Sequence, residues 1–428
     1  MEKESGDEKR ARVEKRIRGI LFMEMDGELM GIDLNQHQSW DCKGTSPPPT
    51  LSFNYRVDHN FPFFMRPFKL DGKLYLAGGY ESPKGDIRFS ATTNRVYEFD
   101  PDAIVSANDN EFVTVPGHRV LRPAPSLIRP KRVIVADLRG TIYVLHHWGG
   151  VLYSYEFPDD KYDVLFEYFD PTHASWHQAP TPPFYQKYFQ DNDYIFQDND
   201  HIFQDKADDW PLSIEMCPVV CYYVVDDKLL VLCNDNLMYA FSHSSKQWEV
   251  IALDVNLFRV HGRDFSSLCS PLWLPEQQIA LAIDCPMLFL PGEPCLFQAD
   301  AIIYSPDGVP EFHQVLEEVF SDMYPHDSKY PTFATTHLLH LGQGSQEDQS
   351  RICAVMYTAI STEWTTDPEM AEQEQEHVCL FISIFDLQRL HPSDHVSANS
   401  CQLLKVSPVK KLLFKLNDVL PPLNTFII

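Results

Sequence analysis

Three stretches hold residue types that could do chemistry. His146-His147-Trp148 sits where a strand-like run, Arg139 to Leu145, gives way to a loop. Imidazoles there could ligate a metal or move protons. Adjacent strand residues point to opposite faces, however, so the two rings cannot easily share one ion, and satisfied or exposed histidines are the simpler reading. Cys217-x-x-x-Cys221 lacks the second cysteine pair that a structural zinc site needs. The third stretch, Phe184 to Trp210, carries a tandem repeat with a period of seven: Phe189-Gln190-Asp191-Asn192-Asp193, Phe196-Gln197-Asp198-Asn199-Asp200 and Phe203-Gln204-Asp205. Its Asp-x-Asp spacing suggests calcium, but the turn glycine and terminal glutamate of an EF-hand loop are missing. Asn and Asp are poor helix formers, so the segment reads as an acidic loop expanded by local duplication. His-Glu-x-x-His, Gly-x-Ser-x-Gly and P-loop patterns are absent. The sequence therefore assigns no catalytic, cofactor-binding or metal-ligating residue and implies no cofactor. It reads more readily as a non-enzyme than as an enzyme.

Charge narrows the classes further. The 61 acidic residues against 35 basic ones give a formal net charge of −26. Such a surface repels phosphate backbones, which argues against nucleic-acid binding, and it favours basic partners. No apolar run approaches the ~18 residues of a membrane span, and the charged start lacks the apolar core of a secretory signal. Ten cysteines scattered through apolar runs read as reduced thiols of a cytoplasmic, or nuclear, protein. Two segments stand out as candidate partner-binding regions. One is the basic run Arg119, Arg122, Arg129, Lys131 and Arg132; the other is the acidic loop Asp191 to Asp209. The basic run could also be neutralised by the protein's own carboxylates.

The elements that must position these residues read as strands. Pro (32) outnumbers Gly (18), and helical periodicity is hard to find. Residues 1–18 form a charged arm, expected to be disordered, and 19–428 a single domain. Acidic insertions interrupt it at about 184–210 and 361–377. Asp26-Gly27 and Asp71-Gly72 join apolar runs as hairpin turns do. Cys221 to Ile251 is the most compact unit, with strands at Tyr222–Val225, Leu229–Cys233, Leu237–Phe241 and Trp248–Ile251. Leu229 to Trp248 and Leu21 to Trp40 span the same 19 residues, each with a turn before Leu-Met (Leu237-Met238, Leu29-Met30), as an internal repeat would. For the third strand of the unit after Ser126, Val164 to Asp170 is preferred to Val151 to Phe157, because Asp170-Pro171 and Trp176 follow it.

Six such units are expected: Ile20 to Cys42, Phe61 to Val115, Ser126 to Ala179, Cys217 to Leu253, Ser267 to Val319 and Thr332 to Phe414. Repeated four-stranded antiparallel units describe an all-β, six-bladed β-propeller. The first unit is short by one strand. Asn424 to Ile428 could supply it, pairing the two chain ends and removing open sheet edges.

An apolar strand ending in Gly78-Gly79, then a strand with Tyr97, resembles the first half of a kelch repeat. Tyr168 with Trp176 resembles the second half, and Tyr239 with Trp248 matches loosely in the fourth unit. The resemblance is to kelch-type propellers, with the fold of galactose oxidase, and covers about a quarter of the chain. It implies that Gly78, Gly79, Tyr97, Tyr168, Trp176, Tyr239 and Trp248 are structural. That enzyme's copper-ligand pattern has no match here, and a shared fold does not confer catalysis. The expected function is a non-catalytic protein-binding scaffold or adaptor, monomeric, using loops on one propeller face. One alternative is an enzyme or small-ligand binder with a site at the central channel mouth. Another is a ubiquitin-ligase substrate receptor working through a separate adaptor, since no F-box or BTB segment precedes the first unit.

Overall fold

The computed structural model describes residues 19–25, 28–37, 39, 49–58, 62, 65–81, 91–100, 102–105, 113–129, 133–146, 164–185, 219–233, 237–251, 272–274, 276–284, 298–304, 310–316, 319, 331–346, 348–361, 376–390, 403–416 and 424–427. The charged arm, Trp40, Trp148, the Asp191 to Asp209 loop, Lys131 and Arg132 lie outside them. So do the Cys217 end of the cysteine pair and Val151 to Phe157.

The fold is a six-bladed β-propeller whose blades are antiparallel sheets. In chain order, β1 (Ile20–Met25), β2 (Glu28–Asp33) and β3 (Tyr55–Asp58) begin the first blade. The second blade holds β4 (Arg66–Leu70), β5 (Lys73–Ala77), β8 (Val96–Phe99) and β10 (Leu121–Ala124). A two-stranded ladder of β6 (Tyr80–Glu81) and β7 (Ala91–Thr92) interrupts it, and β9 (Val113–Pro116) leaves it for the first sheet. The third blade is β11 (Val133–Leu138), β12 (Thr141–His146), β13 (Phe166–Asp170) and β14 (Ser175–Gln178). The fourth is β15 (Val219–Val225), β16 (Lys228–Cys233), β17 (Met238–Ser242) and β18 (Gln247–Ile251). The fifth is β19 (Leu272–Leu274), β20 (Ile279–Asp284), β21 (Gln298–Tyr304) and β22 (Pro310–Val315). The sixth has the longest strands: β23 (Pro331–Gln343), β24 (Gln349–Ser361), β25 (Glu376–Arg389) and β26 (Leu404–Leu416). The last strand, β27 (Asn424–Ile427), pairs antiparallel with β1 from Leu21↔Ile427 to Glu24↔Asn424. The chain's last segment thus completes the first sheet, as its sequence suggests.

The chain divides into two compact units. One comprises Met1–Phe61, Asp100–Leu121 and Val260–Ile428, with blades 1, 5 and 6. The other comprises Pro62–Phe99 and Arg122–Arg259, with blades 2, 3 and 4.

In the first unit, blade 6 is covered on both faces, and β24 shows why its sequence is a continuous apolar run. Ile352, Ala354 and Met356 pack with blade 5, while the alternate residues Cys353, Val355 and Tyr357 pack with blade 1. Period-2 alternation therefore sends apolar side chains to two cores instead of leaving one polar face. Burial pushes the thiols of Cys353 and Cys379 up to about 12, so both behave as small hydrophobes. In blade 1, Phe22 stands between Phe426 and Gly31 in register. Its ring stacks on Phe426 at 5.5 Å, and a Cβ at Gly31 would come within 2.8 Å of it. Glycine there is a packing requirement.

In the second unit the same alternation runs along β12. Ile142 and Val144 pack with blade 2, and Tyr143 and Leu145 pack with blade 4. Gly78 and Gly79, at the end of β5, adopt φ of 67° and 94°, a left-handed backbone that disfavours side chains.

Two boundaries differ from the sequence reading. The second unit does not close at Val115, and residues 113–116 are not a strand of blade 2. As β9 they pair in parallel with β3, from Tyr55↔Val113 to Asp58↔Pro116. A helical turn, Gly117–Val120, then reverses the chain, and β10 provides the fourth strand of blade 2 from within the basic run. Blade 1 likewise extends past Cys42 to β3. Burial of Val120 and Leu121 fixes this arrangement. No local pattern encodes a parallel partner that lies 58 residues away, as Tyr55 does from Val113.

Candidate functional site

Antiparallel strands reverse direction at each step, so the first and third hairpin turns of a blade fall at the same sheet end. In blades 3 and 4 these four turns are Arg139-Gly140, Pro171 to Ala174, Asp226-Asp227 and His243 to Lys246. Each contains a residue in the left-handed region: Arg139 (φ 55°) with Gly140 (φ 80°), Ala174 (48°), Asp226 (50°) and Lys246 (56°). The Asp137 carboxylate accepts the Gly140 amide at 2.7 Å and pins the first turn.

The turns are joined across the two blades. Arg139 Nη2 donates to Asp226 Oδ2 at 3.0 Å. Behind this surface pair, Tyr143 is buried, with its ring 5.1 Å from Phe241 and 5.4 Å from Phe166. The Lys246 ammonium donates to the Tyr143 hydroxyl, and that hydroxyl lies 3.0 Å from His243 Nδ1. An ammonium has no lone pair, so Tyr143 accepts from Lys246 and donates to His243. The Lys246 Nζ also stands 5.2 Å from the Tyr143 ring centre and 5.6 Å from that of Tyr168, within cation–π range.

The ionisation of this group follows from its burial. Burial, with the Tyr168 hydroxyl nearby, pushes Tyr143 up to about 12. Burial lowers Lys246 below the ordinary lysine value. His243 is lowered by burial and then by the charges of Lys246 and Arg139, against an opposing pull from Asp227. For Asp227, burial acts upward, but hydrogen bonds from the Ser244 hydroxyl and amide, the Arg139 charge and the Ser242 hydroxyl outweigh it. The net shift is down.

The Tyr168 ring carries the cluster onward to the β13–β14 turn. It faces His177 in the paired strand, and the rings stack at 5.6 Å. Phe166, Tyr168 and Asp170 share one face of β13, running from the buried core to the exposed sheet end. Asp170 Oδ1 accepts the Thr172 amide at 2.8 Å, and Oδ2 accepts from His173 Nδ1 at 2.5 Å. Those two contacts, His173 first, hold the Asp170 carboxyl below its usual value. His177 Nε2 is 3.9 Å from the same Oδ2 and 3.0 Å from the Ser175 hydroxyl.

Of the residues singled out from sequence, Tyr168 alone belongs to this cluster. Trp176 and Trp248 hold equivalent places in successive blades. Each indole N–H donates at 2.9 Å to a proline carbonyl in the preceding linker, Pro125 for Trp176 and Pro180 for Trp248. Trp176 also meets Phe68 of blade 2 edge-on at 6.3 Å. Tyr97 is buried, and its hydroxyl accepts from Arg95 Nη1 at 3.2 Å. Tyr239 is buried against Phe184 at 5.1 Å. The Gly78 amide donates to Arg95 O, and Gly79 O accepts from Thr93 N.

Arg119 is exposed on the helical turn, Arg122 on β10 and Arg129 on the following loop. The amides of Ile128 and Arg129 are held by the buried Glu167 carboxylate. His146 ends β12, and its carbonyl accepts from Tyr185 OH; His147 lies outside the described residues. Sequence reasoning gave no site role to Arg139, Tyr143, Asp170, His173, His177, Asp226, Asp227, His243 or Lys246. Asp-Pro-Thr-His-Ala-Ser-Trp-His (170–177), read as a tight turn with ligand types on both sides, was the available signal.

No family model matches the chain, and no curated protein matches it. Solved structures do. One is the N-terminal domain of Nup159, at 12% identity and a TM-score of 0.36, covering 87% of each chain. Another is a complex of S. cerevisiae Dbp5 bound to Nup159 and Gle1 with IP6 and ADP. It matches at 12% identity and a TM-score of 0.36, over 86% of this chain and 84% of that one.

Proposed function

We propose that this propeller is a non-catalytic protein-binding module of the kelch-like kind, and that the turns of blades 3 and 4 carry the contact. The supporting observation is the linkage of Arg139, Asp226, Tyr143, Lys246 and Tyr168 across two blades. Tyrosine and arginine anchors dominate protein interfaces. Side chains already fixed by their neighbours lose little entropy on binding, so more of the contact energy appears as affinity. Arg139 and Asp226 remain more than half exposed and can exchange their pairing for a partner's charges. The acidic balance of the chain favours a partner segment carrying Lys or Arg.

The test is quantitative affinity purification of the full chain, compared with the double variant Arg139→Asp/Asp226→Arg. The exchange keeps the internal ion pair and inverts the field that a partner meets. The wild type should hold a defined partner set that the swapped variant loses, with unchanged thermal unfolding. Equal recovery of every partner by both proteins would overturn the assignment. So would turnover of a metabolite library by a protein that retains no partner.

A further inference from the structure

We propose that Asp170, His173 and His177 form a divalent transition-metal site on the β13–β14 hairpin. Their ligand atoms, one carboxylate oxygen and two imidazole nitrogens, all lie within 4.8 Å of one another. Metal–ligand bonds of about 2.0–2.1 Å place the donors of a tetrahedral site roughly 3.3 Å apart. The present separations from Asp170 Oδ2, 2.5 Å to His173 Nδ1 and 3.9 Å to His177 Nε2, lie on either side of that value. Shifts of less than an ångström bring both of these separations to that value.

Each donor is prepared by its neighbours. The Thr172 amide occupies Asp170 Oδ1 and leaves Oδ2 directed at the histidines. Tyr168 stacks on His177 and fixes its ring plane. The Ser175 hydroxyl lies 3.0 Å from His177 Nε2. Donation by that hydroxyl places the ring proton on Nδ1, and the hydroxyl must turn away to release the Nε2 lone pair to an ion. A carboxylate only accepts, so His173 Nδ1 carries a proton in the metal-free form. On metal binding that proton leaves to solvent and Nε2 takes one up. The neutral ring changes tautomer, and the ion takes the place of the hydrogen bond. Two imidazoles with one carboxylate select Zn²⁺, Co²⁺, Ni²⁺ or Cu²⁺ over Mg²⁺ or Ca²⁺. Three protein ligands leave at least one position open for water or an incoming side chain. The site shares the β13–β14 turn with the proposed contact surface, but neither reading requires the other.

Titration of the full chain with Co²⁺, followed by its visible absorption, and with Zn²⁺ by calorimetry tests the assignment. The chain has 17 histidines, so the decisive quantity is the difference between wild type and variant. His177→Ala and Asp170→Asn, the latter keeping an acceptor for the Thr172 amide, should each weaken one equivalent by about tenfold or more. Both should leave the urea midpoint unchanged, and Mg²⁺ should not compete. Identical isotherms for wild type and both variants would overturn the proposal. So would the absence of saturable Co²⁺ or Zn²⁺ binding to the wild type up to about 1 mM.

Discussion

Replacing Phe426 by alanine tests the strand that joins the chain's last segment to its first blade. Phe426 is 4% exposed, and its ring lies against the fully buried Phe22. Removing a buried phenylalanine ring costs ~3–5 kcal/mol where the surroundings cannot relax. Here a ceiling applies, because β27 has four residues and pairs on one side only. Holding four residues costs about 1–2 kcal/mol each in backbone entropy, which the ladder and the ring together must offset. Without the ring the strand detaches, and the loss is limited to its net docking energy, about 2–4 kcal/mol. Hydrogen exchange read by mass spectrometry should show β1 and β27 losing protection together, while blades 3 and 4 stay unchanged. Phe426→Leu should recover about half of the loss. Wild-type protection across β1 in Phe426→Ala would refute the reasoning, since β1 would then owe nothing to the terminal ring.

Asp386 is 2% exposed and accepts Arg351 Nε at 2.8 Å, Arg351 Nη2 at 3.1 Å and the Ser345 hydroxyl at 2.6 Å. Arg351 keeps a third of its side chain in solvent, which discounts the full cost of breaking a buried pair, so Asp386→Asn should lose about 2–3 kcal/mol by urea unfolding at pH 7. Burial acts upward on this carboxyl, but the Arg351 and Ser345 contacts outweigh it and the net shift is down. The stabilisation is therefore present above the unfolded carboxylate value and lost as pH falls through the lower folded one. The gap between wild type and Asp386→Asn should narrow between pH 5 and pH 3, and a gap constant with pH would contradict this. For His243, imidazole NMR should place the midpoint below the ordinary 6.5, and Lys246→Met should move it upward by removing a neighbouring charge. A lowered histidine is neutral in the fold while the unfolded chain binds a proton, so stability rises with pH across that interval up to 6.5. A downward move in Lys246→Met would contradict the assignment.

Local pattern was enough for much of the fold. Alternating apolar residues and paired Asp or Gly turns placed the strands of blades 3 and 4. Asp170-Pro171 and Trp176 selected the third strand of blade 3, and the incomplete first unit called for the tail that β27 supplies. These signals are legible because they depend on neighbours a few residues apart. Tertiary structure alone decided that β9 leaves blade 2 to lie parallel to β3 and that β10 takes its place, since pairing across long connections has no short-range signature. It also decided the site. Tyr143 and Lys246 are 103 residues apart and meet only because successive blades stack face to face. Asp170, His173 and His177 are near in sequence, yet the hairpin register directs all three to one place. Chain sequence sets which side chains each strand turns to a given face; packing between blades sets what those faces meet.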